Sequence, residues 1–100
     1  MDKYRVQLNA QAYRDLDEIF NYISIALESP ENAKGQTDRL YEAIKKLAIL
    51  PQSHQKRIIG KYANKDYRQL LVDNYIVIFK IDEENRIVRI ITIQYQGRNI

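Results

Sequence analysis

Apolar and polar positions follow two different spacings in the N-terminal third of the chain. Over residues 4–8 they alternate, which predicts a half-buried strand. From residue 10 to about residue 28, apolar residues recur every three or four positions, as they do along one face of an amphipathic helix. Asn9 precedes this segment, and its side-chain oxygen is suited to capping a first helical turn. The pattern therefore predicts a strand followed directly by a helix.

A second helix is predicted immediately after the first. Ser29 is a residue type that caps helices, Pro30 suits the first helical position, and Glu31 is favourable near the positive end of the helix dipole. Pro51 ends the helical pattern because proline has no N–H to donate. Since the link between the two helices is short, we expect an antiparallel helical hairpin. The residues at helical spacing in this segment are Ala33, Thr37, Leu40, Ile44, Leu47 and Ala48.

The C-terminal half begins with a loop and ends with strands. Residues 52–66 are polar, basic and without a regular period, which predicts a long loop that holds at most a short strand at residues 57–59. Strand patterns follow at residues 67–72, 75–81 and 86–95. The breaks between them are so short that these strands must form an antiparallel meander. Residues 75–79 are apolar on both faces, which predicts a central strand.

Together these elements predict an α+β fold. In this fold an N-terminal strand is followed by an antiparallel helical hairpin, which packs on an antiparallel sheet. The C-terminal three-strand meander completes that sheet. A length of 100 residues suits a single domain spanning residues 1–100. The chain has no cysteine and no run of about 20 apolar residues, so we expect a cytoplasmic protein without a membrane partner.

Charge is distributed unevenly along the chain. Residues 1–53 contain seven Lys and Arg against eight Asp and Glu, whereas residues 54–100 contain nine against five. The net charge of +3 therefore comes from the C-terminal half, which favours an anionic partner such as nucleic acid or an acidic protein segment. His54 is the only histidine, cysteine is absent, and the three glycines are isolated from one another. We therefore expect neither a metal site nor a bound cofactor.

The candidate functional residues are the cations and tyrosines of the C-terminal half. Cations hold phosphates and tyrosine rings stack on unpaired bases, a combination suited to single-stranded RNA. Metal-free RNA cleavage also needs a base for the ribose 2′-hydroxyl, a cation on the phosphate and an acid for the leaving oxygen. Packing tyrosines and a solvated basic loop are the non-functional alternative. The residues concerned are His54, Lys56, Arg57, Lys61, Tyr62, Lys65, Tyr67, Arg68, Tyr75, Tyr95 and Arg98.

An ordered string of landmarks runs almost from one end of the chain to the other. It comprises Tyr4-Arg5-Val6, Ala12, Asp15-Leu16, Ile19, Tyr22-Ile23, Pro30, Ala33, Leu40, Ile44, Leu47, Pro51, Tyr67-Arg68, Leu70, Asn74-Tyr75, Val77, Phe79-Lys80-Ile81-Asp82, Ile91, Ile93 and Tyr95-Gln96-Gly97-Arg98. This string resembles the RelE/ParE superfamily, the growth-inhibiting toxins of type II toxin–antitoxin systems associated with plasmid stabilisation. The resemblance implies the fold described above. It also implies a short acidic antitoxin as the partner.

RelE-like members of this superfamily are mRNA interferases, which cleave messenger RNA on the ribosome. The resemblance implies a catalytic group made of Arg68, Tyr95 and Arg98. The sequence departs from that branch at two positions. Ile76 stands where RelE-like enzymes usually have a phosphate-binding arginine, and Leu70 stands where the best-known branch has a second catalytic lysine. The residues expected to bind RNA are Lys56, Arg57, Lys61, Tyr62 and Lys65.

ParE-like members share a long helical hairpin and poison DNA gyrase by binding it. The hairpin predicted over residues 10–50 is as long as theirs. Two activities therefore stay open, ribosome-dependent mRNA cleavage and gyrase inhibition. We favour the first slightly, because the ribosome can position the message for a small enzyme. A third alternative is a module that binds its antitoxin without being toxic.

Overall fold

The computed structural model describes residues 3–97 and has the order of elements that the sequence pattern predicts. The main elements are β1 (Arg5–Leu8), α1 (Ala10–Asn21), α2 (Pro30–Lys45), β2 (Tyr67–Val72), β3 (Tyr75–Asp82) and β4 (Ile87–Tyr95). A π-helical turn, Tyr22–Ala26, extends α1, and two 3₁₀ turns, Lys46–Ala48 and Pro51–Ser53, follow α2. The predicted α+β class is confirmed. Within residues 3–97, neither helix combines the length and apolarity that crossing a membrane requires.

The four strands form one sheet in the order β1-β4-β3-β2. As predicted, β2, β3 and β4 are an antiparallel meander. The sheet as a whole is mixed and not antiparallel throughout, because β1 pairs with β4 in parallel, with Arg5 opposite Ile87. Short turns dictate antiparallel neighbours, but nothing local dictates how strands on opposite sides of a helical hairpin pair. The sequence pattern therefore did not reveal the direction of β1.

Two local predictions differ from the structure. Asn9 occupies the cap position of α1, but its side chain forms no hydrogen bond to the first turn. The short strand expected at residues 57–59 is also wrong. The loop instead makes a single antiparallel bridge one residue earlier, between Lys56 and Arg68, with the Arg57 N–H donating to the Tyr67 carbonyl at 2.8 Å. After this bridge the chain leaves the sheet edge.

The core lies between the helical hairpin and one face of the sheet. Leu40, Ile44 and Leu47 pack there against Val77 and Phe79, and all five side chains are buried. Full burial of such a side chain typically contributes about 1.5–3 kcal/mol. The predicted central position of β3 is confirmed, since it lies between β4 and β2 and residues 76–79 are buried.

Phe20 and Leu27 are among the apolar residues at helical spacing in residues 10–28, which were predicted to form the buried face of the first helix, but both are exposed. Phe20 is 37% exposed and Leu27 is 56% exposed. Phe20 lies at the edge of the helix face that carries the buried residues Leu16 and Ile23. Leu27 comes after the π-helical turn, in which its N–H donates to the Tyr22 carbonyl five residues earlier at 3.1 Å. This wider turn moves Leu27 off the buried face.

A buried carboxylate joins α1 to an irregular point in β4. In the pairing of β3 with β4, Ile78 faces Thr92 whereas Phe79 faces Ile90, so β4 contains one extra residue. Asp15 is only 4% exposed and accepts hydrogen bonds from the Thr92 hydroxyl at 2.5 Å and the Ile93 N–H at 2.9 Å. The Asp15 carboxylate therefore satisfies polar groups that the irregular pairing would otherwise leave buried without a partner.

A second polar network joins the start of the chain to the β3–β4 turn. The buried Tyr4 donates its hydroxyl proton to Glu83 at 2.6 Å. The Gln52 amide donates to the Tyr4 hydroxyl at 2.6 Å and to Glu83 at 2.9 Å. These hydrogen bonds hold the pKa of the Glu83 carboxyl below its ordinary value of 4.5.

Acid should destabilise the protein partly through Glu83. A carboxyl with a lowered pKa in the folded state stabilises the fold above its ordinary pKa, and that contribution is lost as the pH falls through the folded value. We expect the stability of Glu83→Gln to change less between about pH 5 and pH 3 than that of the unmodified chain. Urea unfolding at a series of pH values measures this. Parallel pH profiles for the two proteins would contradict the role of Glu83.

Candidate functional site

Arg68 and Tyr95, two of the three residues predicted to be catalytic, lie far apart in the structure. Arg68 lies at the start of β2, opposite Phe79 of β3, whereas Tyr95 ends β4 opposite Tyr75. Phe79 and Tyr75 are four positions apart in β3, which is about 13 Å along a strand. Tyr95 is also two strands away from β2. Arg98 lies outside the described residues.

Arg68 has a structural contact of its own. Its register partner Phe79 belongs to the core, so the Arg68 side chain is on the face of the sheet that carries the helices. Its guanidinium donates to the His54 carbonyl at 2.7 Å. The His54 ring in turn meets the edge of the Phe79 ring, with the centroids 5.9 Å apart. Arg68 therefore ties the loop after the second 3₁₀ turn to the edge of the sheet.

Tyr95 belongs to a group of tyrosines at the opposite end of the sheet. Its ring meets that of Tyr75 at 5.9 Å, edge to face. Burial raises the pKa of Tyr75, and the neighbouring hydroxyls of Tyr95 and Tyr22 raise it further. A phenol with a raised pKa is a weaker proton donor and forms a phenolate less readily. Tyr75 is therefore poorly suited to act as a general acid or base.

The five residues predicted to bind RNA are in different environments. Lys56, Lys61 and Lys65 are exposed, and the Lys56 ammonium is 3.9 Å from an Asp66 carboxylate oxygen. Arg57 is only 8% exposed because its guanidinium folds back to the Ile59 carbonyl at 3.0 Å and to the Gln69 side chain at 2.8 Å. Arg57 thus shapes the loop. The fifth residue, Tyr62, packs its ring edge to face on Tyr67 at 5.0 Å.

A row of polar side chains crosses the face of the sheet opposite the helices. Tyr67 of β2, Lys80 of β3 and Arg89 of β4 are register partners. They alternate along their strands with residues that face the helices, so they lie on the other face. The Lys80 ammonium is 5.2 Å from the centre of the Tyr67 ring, and Arg89 donates to Gln7 of β1 at 3.2 Å.

We call the surface made of Lys61, Tyr62, Tyr67, Lys80 and Arg89 the basic face. The Lys61 ammonium lies 5.7 Å from the Tyr62 ring centre, so the loop continues the alternation of cations and aromatic rings beyond the sheet. Asp82 is the acidic neighbour, 3.6 Å from the Arg89 guanidinium. Cations beside aromatic rings are suited to binding phosphates and unpaired bases together. The basic face is therefore the candidate nucleic-acid interface.

Lys80 and Arg89 were not among the residues singled out from the sequence. The two-residue turn between β2 and β3 makes Val72 face Tyr75, and counting back from that pair places Tyr67 opposite Lys80. The sequence therefore contained the information for this pair. The position of Arg89 was missed because the turn between β3 and β4 begins one residue later than predicted. The structure pairs Asp82 with Ile87 and hence Lys80 with Arg89, whereas the predicted strand ends at residues 81 and 86 would pair Lys80 with Ile87.

A groove of about 950 Å³ lies on the helix side, at the end of the sheet where Tyr95 stands. We call it the tyrosine groove. Tyr22, Tyr75 and Tyr95 line it together with Glu18 and Glu31. These residues come from α1, the π-helical turn, the start of α2 and the ends of β3 and β4, so the helical hairpin and the sheet form the groove jointly.

The sequence and the fold both match known proteins. Residues 6–100 match the family described as the ParE toxin of type II toxin–antitoxin system, parDE. A comparison with curated proteins found no match.

Three solved structures illustrate the likeness in fold. The chromosomal ParDE toxin–antitoxin system from P. aeruginosa has a TM-score of 0.77 at 19% identity, covering 93% of this chain and 96% of that chain. The toxin–antitoxin complex RelBE2 from Mycobacterium tuberculosis has a TM-score of 0.60 at 20% identity, covering 93% and 98%. A mutant of the E. coli toxin RelE in the free state has a TM-score of 0.66 at 10% identity, covering 95% and 85%.

Proposed function

The chain belongs to the ParE toxin family and is a toxin of a type II toxin–antitoxin system, and we propose that it stops growth by binding DNA gyrase and not by cleaving RNA. In this proposal residues 1–100 act as one domain. The basic face contacts the gyrase–DNA complex, because a surface of cations and aromatic rings suits a target that carries nucleic acid.

The observation that carries this proposal is the separation of the groups that cleavage would need together. Arg68 is bonded to a loop carbonyl on the helix side, and Tyr95 is about four residues further along the sheet. Ile76 is buried in the central strand, and an aliphatic side chain cannot donate a hydrogen bond to a phosphorane. Losing one such contact typically costs about 10²–10³ in rate. Binding does not require these groups at one point.

A cognate antitoxin is the proposed partner that keeps the toxin silent. The related ParDE and RelBE2 structures are those of a toxin–antitoxin system and a toxin–antitoxin complex. This chain has surfaces that suit a segment folding on binding, among them the tyrosine groove and the part of the edge strand β2 beyond Gln69, where the loop no longer pairs with it. We therefore expect the neighbouring gene to encode a small antitoxin.

The basic face favours one second candidate, which is mRNA cleavage on the ribosome. In that case the row Tyr67, Lys80 and Arg89 would take over the roles predicted for Arg68, Tyr95 and Arg98. One aromatic hydroxyl and two cations in register offer a proton-transfer group and phosphate contacts on a single surface. The ribosome would orient the message.

Short induction of the chain without its antitoxin tests the two candidates in one culture. We expect growth to stop, DNA breaks linked to gyrase to accumulate and plasmid supercoiling to change, while abundant messages stay intact. Primer extension on those messages measures cleavage directly. The control is the same induction with the antitoxin expressed from a second plasmid, which should restore growth.

New 5′ ends within translated codons, with unchanged DNA topology, would contradict gyrase inhibition and support the second candidate. Unimpaired growth with the chain present in the cells would contradict toxicity itself. In that case the remaining alternative is a module that binds its antitoxin without being toxic.

A further inference from the structure

The tyrosine groove exposes aromatic and aliphatic side chains that have no cover within residues 3–97. Tyr22 is 60% exposed, Tyr95 is 52% exposed, and Leu27 borders the groove with more than half of its surface in solvent. The buried Ile23 and Ile93 also line the groove. A concave surface of about 950 Å³, whose walls combine apolar and polar side chains, is large enough to take several side chains of a partner.

The groove is acidic although the chain as a whole is basic. Glu18 and Glu31 both line it, and within the described part of the chain neither carboxylate is in an ion pair. The nearby Arg39 does not compensate for them, since it donates to Asp73 at 2.8 Å and lowers the pKa of that carboxyl together with Gln36. Two carboxylates without an ion pair therefore line the same groove as three tyrosines.

We propose that the tyrosine groove binds a segment of the cognate antitoxin that inserts a lysine or arginine side chain between the tyrosine rings and these glutamates. The faces of tyrosine rings attract cations, and carboxylates bind ammonium and guanidinium groups through charge-assisted hydrogen bonds. Apolar residues next to the inserted cation would cover Tyr22 and Leu27. This inference rests on the proposed antitoxin partnership and names the chemistry of its contact.

Charge complementarity decides which part of the antitoxin docks here. The basic face, with Lys80 and Arg89, attracts acidic residues, whereas Glu18 and Glu31 repel them. Under the proposed partnership, this arrangement of charge favours the orientation that places a basic residue of the antitoxin at the helical hairpin. A lone cation placed in this way gives specificity as well as affinity.

The test uses the full-length toxin and the antitoxin encoded beside it, titrated by calorimetry at low and moderate salt. Glu18→Gln/Glu31→Gln should weaken binding by about 10-fold or more, because each substitution removes the negative charge from a charge-assisted hydrogen bond to the inserted cation. It should also reduce the salt dependence of binding. The control Glu42→Gln/Glu84→Gln makes the same change in charge at two exposed glutamates that do not line the groove, and its affinity should stay within about twofold.

Growth assays separate this inference from the proposed function. The double variant expressed alone should stop growth like the unmodified toxin, and co-expressed antitoxin should rescue it less well. Equal affinity of the unmodified toxin and the double variant for the antitoxin would overturn the groove contact alone. Failure of the unmodified toxin to bind the antitoxin would overturn the partnership and the groove contact together. A free toxin dimer that the double variant dissociates would assign the groove to a second copy and overturn the proposal.

Discussion

Replacing Asp15 with alanine is expected to lower the free energy of unfolding by about 2–5 kcal/mol, the largest effect on stability that we predict for a single side chain. The carboxylate accepts from the Thr92 hydroxyl and the Ile93 N–H, and both groups are buried with it. Without an acceptor, each buried donor costs about 1–3 kcal/mol. The substitution also frees the Gln11 amide, which donates to Asp15 at 2.7 Å.

Urea unfolding followed by circular dichroism measures this loss. Asp15→Asn should cost less, because the amide keeps one oxygen acceptor. Asp17→Ala, an exposed aspartate on the same helix, is the matched control and should stay within about 0.5 kcal/mol of the unmodified chain. A loss for Asp15→Ala as small as that of the control would show that the extra residue in β4 does not depend on this carboxylate.

Neutralising the basic face is expected to have the largest effect on function. Lys80→Gln/Arg89→Gln removes two cations from the row across the open face of the sheet. We expect affinity for a single-stranded oligonucleotide to fall by about 10-fold or more at low salt, and the slope of log affinity against log salt to fall by about one or two. Growth inhibition should fall with it, because under our proposal this face contacts the nucleic acid of the target complex.

Two control variants test whether the effect is specific to the basic face. Lys34→Gln/Lys45→Gln removes the same charge from exposed lysines on α2, and it should leave both readouts within about twofold. Arg68→Ala removes a cation from the helix-facing side, where its contact is the His54 carbonyl. It should lower stability by about 1 kcal/mol and leave oligonucleotide affinity intact. If Arg68→Ala abolishes growth inhibition in a folded protein while the basic-face variant remains toxic, the assignment of the surface is wrong.

Local pattern was sufficient to place the strands of the meander. The predicted residues 67–72, 75–81 and 86–95 differ by at most one residue at each end from β2, β3 and β4. Alternation along each strand and the turn residues between them carry this information. At the first turn, Asp73 has a φ of 54°, a left-handed conformation that aspartate tolerates better than most residues.

The candidate site could be predicted only in part, because a site depends on which faces and registers meet. Tyr62, Lys61 and the other loop cations were singled out from composition, and two of them belong to the basic face. Arg57 was singled out for the same reason, but its guanidinium shapes the loop. Charge and residue type are the same in both cases. The difference lies in whether a carbonyl or amide oxygen of a neighbouring residue is within hydrogen-bonding distance of the charged group.

Periodicity, turn residues and spacing are local properties, and they were enough to predict the elements, the helical hairpin, the meander and the resemblance to a toxin superfamily. The folded chain was needed to show that β1 runs parallel to β4, that Arg68 faces the helices, and that Lys80 and Arg89 share a row with Tyr67. Those facts depend on pairings across the fold and on the residue at which each turn begins. Because side chains alternate along a strand, a shift of one residue moves every later side chain to the other face.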